Sequence, residues 1–304
     1  MAGISYSRQF LTLITLLNEH NHNYYAKEVA EVIGSLQITV PAGCMNNCSF
    51  CIYKQHGSKF VDLYLEDKER WCVEIEKRLR YVAERVDAVM ITGQGEPILN
   101  LQYIQQVTAL LEKVSPNLTH IELQTSGVGL TSEKLDELFA TGIRVISLSV
   151  PALEKDAIIE IMQVPTSYNY DPFELVKLIK SVGFTLRLSV AMTSWFDDFT
   201  IDEVMHKLQV EWAPDQVSFK KLYGAEGLSS KKYDTFVHEF KEDPKNKKLE
   251  QLAIGVWKYD SNGIAVVWND DCMVQYNQEK PRYLILQSDG KLYTRWDSKA
   301  SLIF

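Results

Sequence analysis

The sequence predicts an α/β chain: six strand–helix units in succession, then an antiparallel tail. Three observations carry this. Strand-like runs and helical stretches alternate six times, and repeated βα units imply parallel strands joined by right-handed crossovers. The strand runs alternate polar with apolar residues. The final stretch, 250–304, contains an Asn-Gly and an Asp-Gly turn, each flanked by strand-like runs.

A helical extension over 1–34 comes first, the α/β body over 35–249 follows, and a hairpin unit over 250–304 ends the chain. "SLQITV" is a strand that runs directly into the cysteine-bearing stretch "GCMNNCSFC" at 43–51. "DKERWCVEIEKRLRYVAERV" is a long amphipathic helix. "DAVMIT" is a strand, followed by the turn "GQGEP" and a helix from about Leu101. "THIELQ" is a strand, and "SEKLDELFATG" a helix with Ser132 as its cap and Gly142 as its stop. "RVISLSV", "FTLRLSV" and "DQVSFK" are the remaining body strands. "KEDPKNKK" reads as a charged surface loop. In the tail, "AIGVWKYDSNGIAVVW" and "RYLILQSDGKLYTRW" read as two hairpins. Together they are expected to form a small antiparallel unit that packs against the body and closes its open side.

The chain has 304 residues and a net charge of −8, which argues against broad electrostatic binding of nucleic acid. The start, "MAGISYSRQFLTLITLLNEHNHN", lacks a small-residue cleavage site, and no apolar stretch approaches membrane-spanning length. Five cysteines, three of them clustered, suit a reducing compartment and a metal site better than a disulfide framework, so the expected location is the cytoplasm.

Strand side chains have a period of two. Leu36, Ile38 and Val40 alternate with Gln37 and Thr39; Ile121, Leu123 and Thr125 with Glu122, Gln124 and Ser126; Leu186, Leu188 and Val190 with Arg187 and Ser189. Helices cover the apolar faces. The polar faces then converge on a common interior, which suits a cavity for a large polar ligand rather than a packed apolar barrel core.

Cys44, Cys48 and Cys51 fall within eight residues, with no histidine beside them for a fourth ligand. Structural zinc normally takes four ligands, and ordinary ferredoxin clusters take four thiolates. Three thiolates on a four-iron cluster leave one iron open to chemistry. The loop also follows the first strand, at the end of the sheet where βα proteins place active sites.

Cys44-x3-Cys48-x2-Cys51, with Phe50 before the last cysteine and "GQGEP" after the second strand, resembles the signature of the radical S-adenosylmethionine superfamily. The resemblance covers roughly residues 35–225. It implies a partial six-stranded parallel (β/α)6 barrel, a 4Fe–4S cluster on the three cysteines, and S-adenosylmethionine chelated by the open iron. The implied reaction is reductive cleavage of S-adenosylmethionine to a 5′-deoxyadenosyl radical that abstracts hydrogen from substrate. An electron donor such as flavodoxin or ferredoxin is implied as partner.

The resemblance also implies individual roles. Gln94, Gly95, Glu96 and Pro97 match the turn that meets the methionine amino group, although Gln94 stands where many members have glycine. Ser126, Ser149, Arg187 and Ser189 match strand-end positions that meet the methionine carboxylate or the ribose, with Arg187 as the carboxylate clamp, and Gln124 is a further cofactor-binding position. Phe50 and Met192 fall at further cofactor positions, Met192 where backbone meets adenine. Lys220, chosen over Lys221 by its parity with Ser218, reaches the cavity mouth. Asn269, Asp270 and Cys272 complete the candidate substrate contacts. The expected substrate is a small molecule or nucleotide. The alternatives are an RNA- or peptide-modifying enzyme with Cys272 as methyl carrier, or a non-catalytic iron–sulfur or zinc protein. Cys72, on the long helix, reads as a structural thiol, and Trp257, Trp268, Tyr283, Tyr293 and Trp296 read mainly as tail core.

Overall fold

The computed structural model describes residues 34–56, 60–83, 86–222, 227–252, 255–269, 283–296 and 299–304. The helical extension expected over 1–34 lies outside the described residues except for Gly34, and so do Asp270 and Cys272.

Six strands carry the body: β1 (Ser35–Gly43), β2 (Ala88–Gly95), β3 (His120–Thr125), β4 (Val145–Val150), β5 (Thr185–Met192) and β6 (Gln216–Lys221). They stand side by side in chain order, each pair parallel. The helices Lys68–Val82, Leu101–Val114, Ser132–Ala140, Pro172–Val182 and Ile201–Lys207 form crossovers between successive strands. Thr131, not Ser132, caps the third of these: its hydroxyl accepts from Lys134 N, and Ser132 is the first helical residue. Gly142 takes φ +88°, the left-handed geometry that ends a helix.

The alternation of the strands is realised. Leu36, Ile38, Val89, Ile91, Leu123, Ile146, Leu148, Leu186, Leu188, Val190 and Phe219 are fully buried with helix residues such as Trp71, Ile75, Tyr103 and Val107. Each such side chain contributes about 1.5–3 kcal/mol on burial. The polar set, including Gln37, Thr39, Glu122, Ser147 and Ser189, is also buried, on the opposite face of the sheet.

Both tail hairpins form. β8 (Trp257–Ser261) and β9 (Ile264–Asn269) pair antiparallel around Asn262 and Gly263, both at positive φ (53° and 87°), as a two-residue hairpin turn requires. β10 (Tyr283–Leu286) and β11 (Leu292–Tyr293) pair across the Asp-Gly turn. They do not make one separate unit. β9 pairs parallel with β6 and β10 pairs parallel with β1, so the hairpins extend opposite edges of the sheet. An open parallel sheet has two unpaired edges, and each hairpin satisfies one of them. The stretch read as a charged loop contributes β7 (Asn246–Gln251), an exposed outer strand paired with β8. Its lysines disguise it in the sequence and suit it to an edge. Among the described residues, β11 and β7 end the sheet without pairing to each other, so it stays open. No described helix is long and apolar enough to cross a membrane.

Candidate functional site

The site begins where β1 and β2 end. Their register shifts after Val40 and resumes with Gly43 opposite Gly95. Here the two backbones touch: a Cβ on Gly95 would lie 1.9 Å from Gly43 O, and one on Gly93 would lie 2.6 Å from Val40 Cγ2. Glu96 N donates to Gly43 O at 2.7 Å. The cysteine loop and the GQGEP turn are therefore joined backbone to backbone, and only glycine fits at position 95. Gln94 takes the place of a third glycine without conflict. Its side chain is buried and donates from Nε2 to Gln287 Oε1 at 3.1 Å.

Cys44 is exposed, Cys48 and Cys51 are half-buried, and all three are free thiols. The loop is anchored on the C-terminus of the helix Lys155–Met162. Asn47 N donates to Met162 O at 3.2 Å, Cys48 Sγ to the same carbonyl at 3.6 Å, and Asn47 Nδ2 to Gln163 Oε1 at 2.7 Å. Lys54 donates to Asn47 Oδ1. Burial raises the Cys44 thiol, and the charge of nearby Glu96 adds to it. Burial pushes Cys48 up to about 12, with Cys51 and Cys44 acting in the same sense. Phe50 packs against the core beneath the loop.

Glu96 is buried, and protein donors surround its carboxylate. Oε1 accepts from Ile98 N at 3.3 Å and from the Thr125 hydroxyl. Oε2 accepts from Ser126 N at 2.8 Å and from Ser126 Oγ at 2.6 Å. Burial raises its pKa against these hydrogen bonds. The structure thus brings Glu96 and Ser126 together, as a clamp between the β2 turn and the end of β3. A carboxylate has about four acceptor positions, so an incoming amine would have to displace one of these donors. Pro97 is buried as the first residue of the short 3-10 helix Pro97–Asn100.

Register places the remaining polar candidates in rows. Ser149, Ser189 and Ser218 are neighbours on β4, β5 and β6; Gln124, Ser147, Arg187 and Gln216 form the row before them. Arg187, expected as the carboxylate clamp, already has protein partners. It is the third of eight residues in β5, with Nη1 paired to Glu122 Oε2 and Nε donating to Gln216 Oε1 at 2.8 Å. Burial alone would raise Glu122. His120 at 3.9 Å, the Arg187 guanidinium and Gln124 outweigh it and hold the carboxyl down at about 2. Glu122 was missed as a site residue, although a charge on the polar face of an inner strand was the signal for it.

Met192 was expected to offer its backbone to adenine, a role that its buried side chain leaves open. Its side chain shares parity with Val190 and lies in the apolar core, and its carbonyl accepts from Ser230 N at 2.9 Å. Lys220 and Lys221 point apart. Lys221 pairs with Asp234 at 2.7 Å, while Lys220 is half-buried on the polar face, in register with Ala191 and Asn269. Asn269 ends β9, which runs parallel to the body strands, so the chain leaves it at the same end of the sheet as the cysteine loop. Of the tail aromatics, Trp268 stacks on Phe219 at 4.2 Å within the core. Trp296 Nε1 reaches the interior and donates to Gln37 Oε1 at 2.7 Å.

The family model for the Radical SAM superfamily matches residues 38–208, more than half of the chain. A GTP 3′,8-cyclase from Clostridium perfringens (strain SM101) is 25% identical over 189 residues, 59% of this chain and 52% of the relative. A probable dual-specificity RNA methyltransferase RlmN from Bacillus licheniformis is 27% identical over 187 residues, 58% of this chain and 45% of that one. The chain thus spans about half the length of the curated relatives it matches. Streptococcus suis SuiB bound to S-adenosylmethionine has the same fold, with a TM-score of 0.56 at 16% identity over 93% of this chain and 65% of that one. So does native anSMEcpe with bound AdoMet, with a TM-score of 0.56 at 17% identity over 87% of this chain and 75% of that one. The cysteine loop, the glycine contact beneath it and the run of parallel strands all fall within or beside the matched segment, and the chain belongs to the radical SAM superfamily, whose cofactors are a 4Fe–4S cluster and S-adenosylmethionine.

Proposed function

We propose that this chain is a radical S-adenosylmethionine enzyme acting on a small polar molecule or nucleotide held inside the open sheet. One observation carries the reading: a three-cysteine loop joined backbone to backbone, through Gly43 and Gly95, to the Glu96 turn at the mouth of a polar interior.

The donor set fits the cluster. Cys51 acts electrostatically on Cys44 and Cys48, and burial disfavours the thiolates of Cys44 and Cys48 until a cation offsets the charge. No group of three or more His, Cys, Asp or Glu among the described residues is arranged to hold a single metal ion. A multi-iron cluster needs no such convergence, because each iron takes its own thiolate.

Bound there, the cluster and S-adenosylmethionine supply reductive cleavage of a carbon–sulfur bond and a 5′-deoxyadenosyl radical. The chain's own part is positioning. Glu96 fixes the turn against Ser126, and Gly95 lets the turn lie flat against the loop. Gln124, Ser149 and Ser189 offer neutral hydrogen-bonding groups along the interior. Helices shield the opposite face of the sheet from water. Lys220 and Asn269 belong to the substrate end of the cavity.

Anaerobic reconstitution tests this directly. The expected product carries about four irons per chain and binds S-adenosylmethionine only when the cluster is present. Retention of a single iron or zinc without affinity for S-adenosylmethionine would overturn the reading.

A further inference from the structure

We propose that Lys220 binds an oxyanion of the substrate, a carboxylate or a phosphate, and so makes this site selective for acidic substrates. The inference rests on the preceding reading only in taking the polar interior as the substrate cavity.

Placement comes first. Lys220 is the penultimate residue of β6 and follows Gln216 and Ser218 on the polar face. Across the register stand Ala191 on one side and Asn269 on the other. The small Ala191 leaves room beside the ammonium.

Charge balance comes second. Among the described residues, two cations, Arg187 and Lys220, act on one carboxylate, Glu122. Arg187, Gln124 and His120 already claim the two oxygens of Glu122. Among the described residues Lys220 has no hydrogen-bond or ion-pair partner, whereas its neighbour Lys221 holds Asp234 with both carboxylate oxygens within 2.8 Å. Burial works against the charge on Lys220, which pulls its pKa below the usual lysine value. A half-buried ammonium that shares one carboxylate, Glu122, with Arg187 is only partly compensated, and a substrate anion removes the remaining cost. Glu96 does not serve, because its carboxylate is tied to Ile98, Thr125 and Ser126 at the β2 turn.

The test uses the cluster-reconstituted protein saturated with S-adenosylmethionine and titrated calorimetrically with inorganic phosphate or, separately, acetate. Wild type should bind one of the two saturably at one site, and which ion binds separates a phosphate from a carboxylate substrate. Lys220→Met should weaken that binding by about tenfold or more, the loss of one charge-assisted contact. Lys220→Arg should largely restore it, and Lys221→Met should leave it unchanged. Lys220→Met should also melt close to wild type, because Glu122 keeps its direct partner Arg187. A lower melting temperature would mean that Lys220 is a structural ion-pair member, and would overturn the proposal. So would absence of saturable binding by either ion, or an equal loss in Lys221→Met. A comparable fall in S-adenosylmethionine affinity in Lys220→Met would assign the anion to the cofactor's own carboxylate and overturn the substrate assignment. Cofactor cleavage by the wild type without any substrate is scored separately, so failure of the enzyme reading and failure of the Lys220 reading are told apart.

Discussion

Replacing Gly95 by alanine should uncouple the cluster loop from the fold. The added Cβ would sit 1.9 Å from Gly43 O, 2.6 Å from Gly43 N and 2.7 Å from Gly43 C. All three are backbone atoms, so no side-chain rotation relieves the overlap. The ends of β1 and β2 must part by more than an ångström, and the 2.7 Å bond from Glu96 N to Gly43 O is lost with them. Overpacking typically costs about 1–3 kcal/mol and a hydrogen bond about 1 kcal/mol, giving about 2–4 kcal/mol in all. At this chain length that corresponds to a fall of roughly 3–6 °C in melting temperature. Cys44 directly follows Gly43, so reconstituted iron should fall in parallel. Gly142→Ala is the control: nothing lies within 4 Å of its Cβ, but φ is +88°. It should lower stability through backbone strain and leave the iron content intact. The reasoning is refuted if Gly95→Ala melts with wild type and takes up its full iron.

Three further outcomes follow from the site. Cys44→Ala, Cys48→Ala and Cys51→Ala should each lose the reconstituted cluster absorbance, and Cys72→Ala, a half-buried thiol on the Lys68–Val82 helix, should keep it. Arg187→Met should destabilise the fold by about 3–5 kcal/mol in denaturant titrations by stranding Glu122, with much of the loss recovered in the Glu122→Leu/Arg187→Met pair. A loss of S-adenosylmethionine affinity at unchanged stability would instead restore Arg187 to the carboxylate clamp. Glu122 ionises at about 2 in the fold against an ordinary 4.5, so its contribution is present above about pH 4.5 and disappears as pH falls through 2. Up to about 3 kcal/mol should be lost over that window in wild type and not in Glu122→Gln.

How much of this was legible in the sequence depended on whether a feature is local. The alternation of Leu36, Ile38 and Val40 with Gln37 and Thr39 is a property of one strand, and it foretold the two faces of the sheet. Asn262-Gly263 dictates its own turn through positive φ, so the first hairpin was readable. Which sheet edge each hairpin joins was not, because β1 meets β10 across most of the chain and tertiary packing alone decides that pairing. β7 escaped because an exposed lysine-rich edge strand has no apolar period to detect. At the site, the cysteine spacing spoke for itself. The Arg187–Glu122 pair joins residues 65 positions apart on non-adjacent strands, so periodicity placed both on the polar face without showing that they neutralise each other. For Met192, parity with Val190 already pointed the side chain at the core, which leaves only its backbone for the expected cofactor contact.

The central claim is that Cys44, Cys48 and Cys51 belong to an enzyme that cleaves S-adenosylmethionine reductively. The most direct measurement is 5′-deoxyadenosine, quantified by mass spectrometry after incubating the anaerobically reconstituted protein with dithionite and S-adenosylmethionine. Wild type should form 5′-deoxyadenosine and methionine in equal amounts, and Cys48→Ala should form neither. A fully reconstituted wild type that binds S-adenosylmethionine and yields no 5′-deoxyadenosine under reduction would contradict the account.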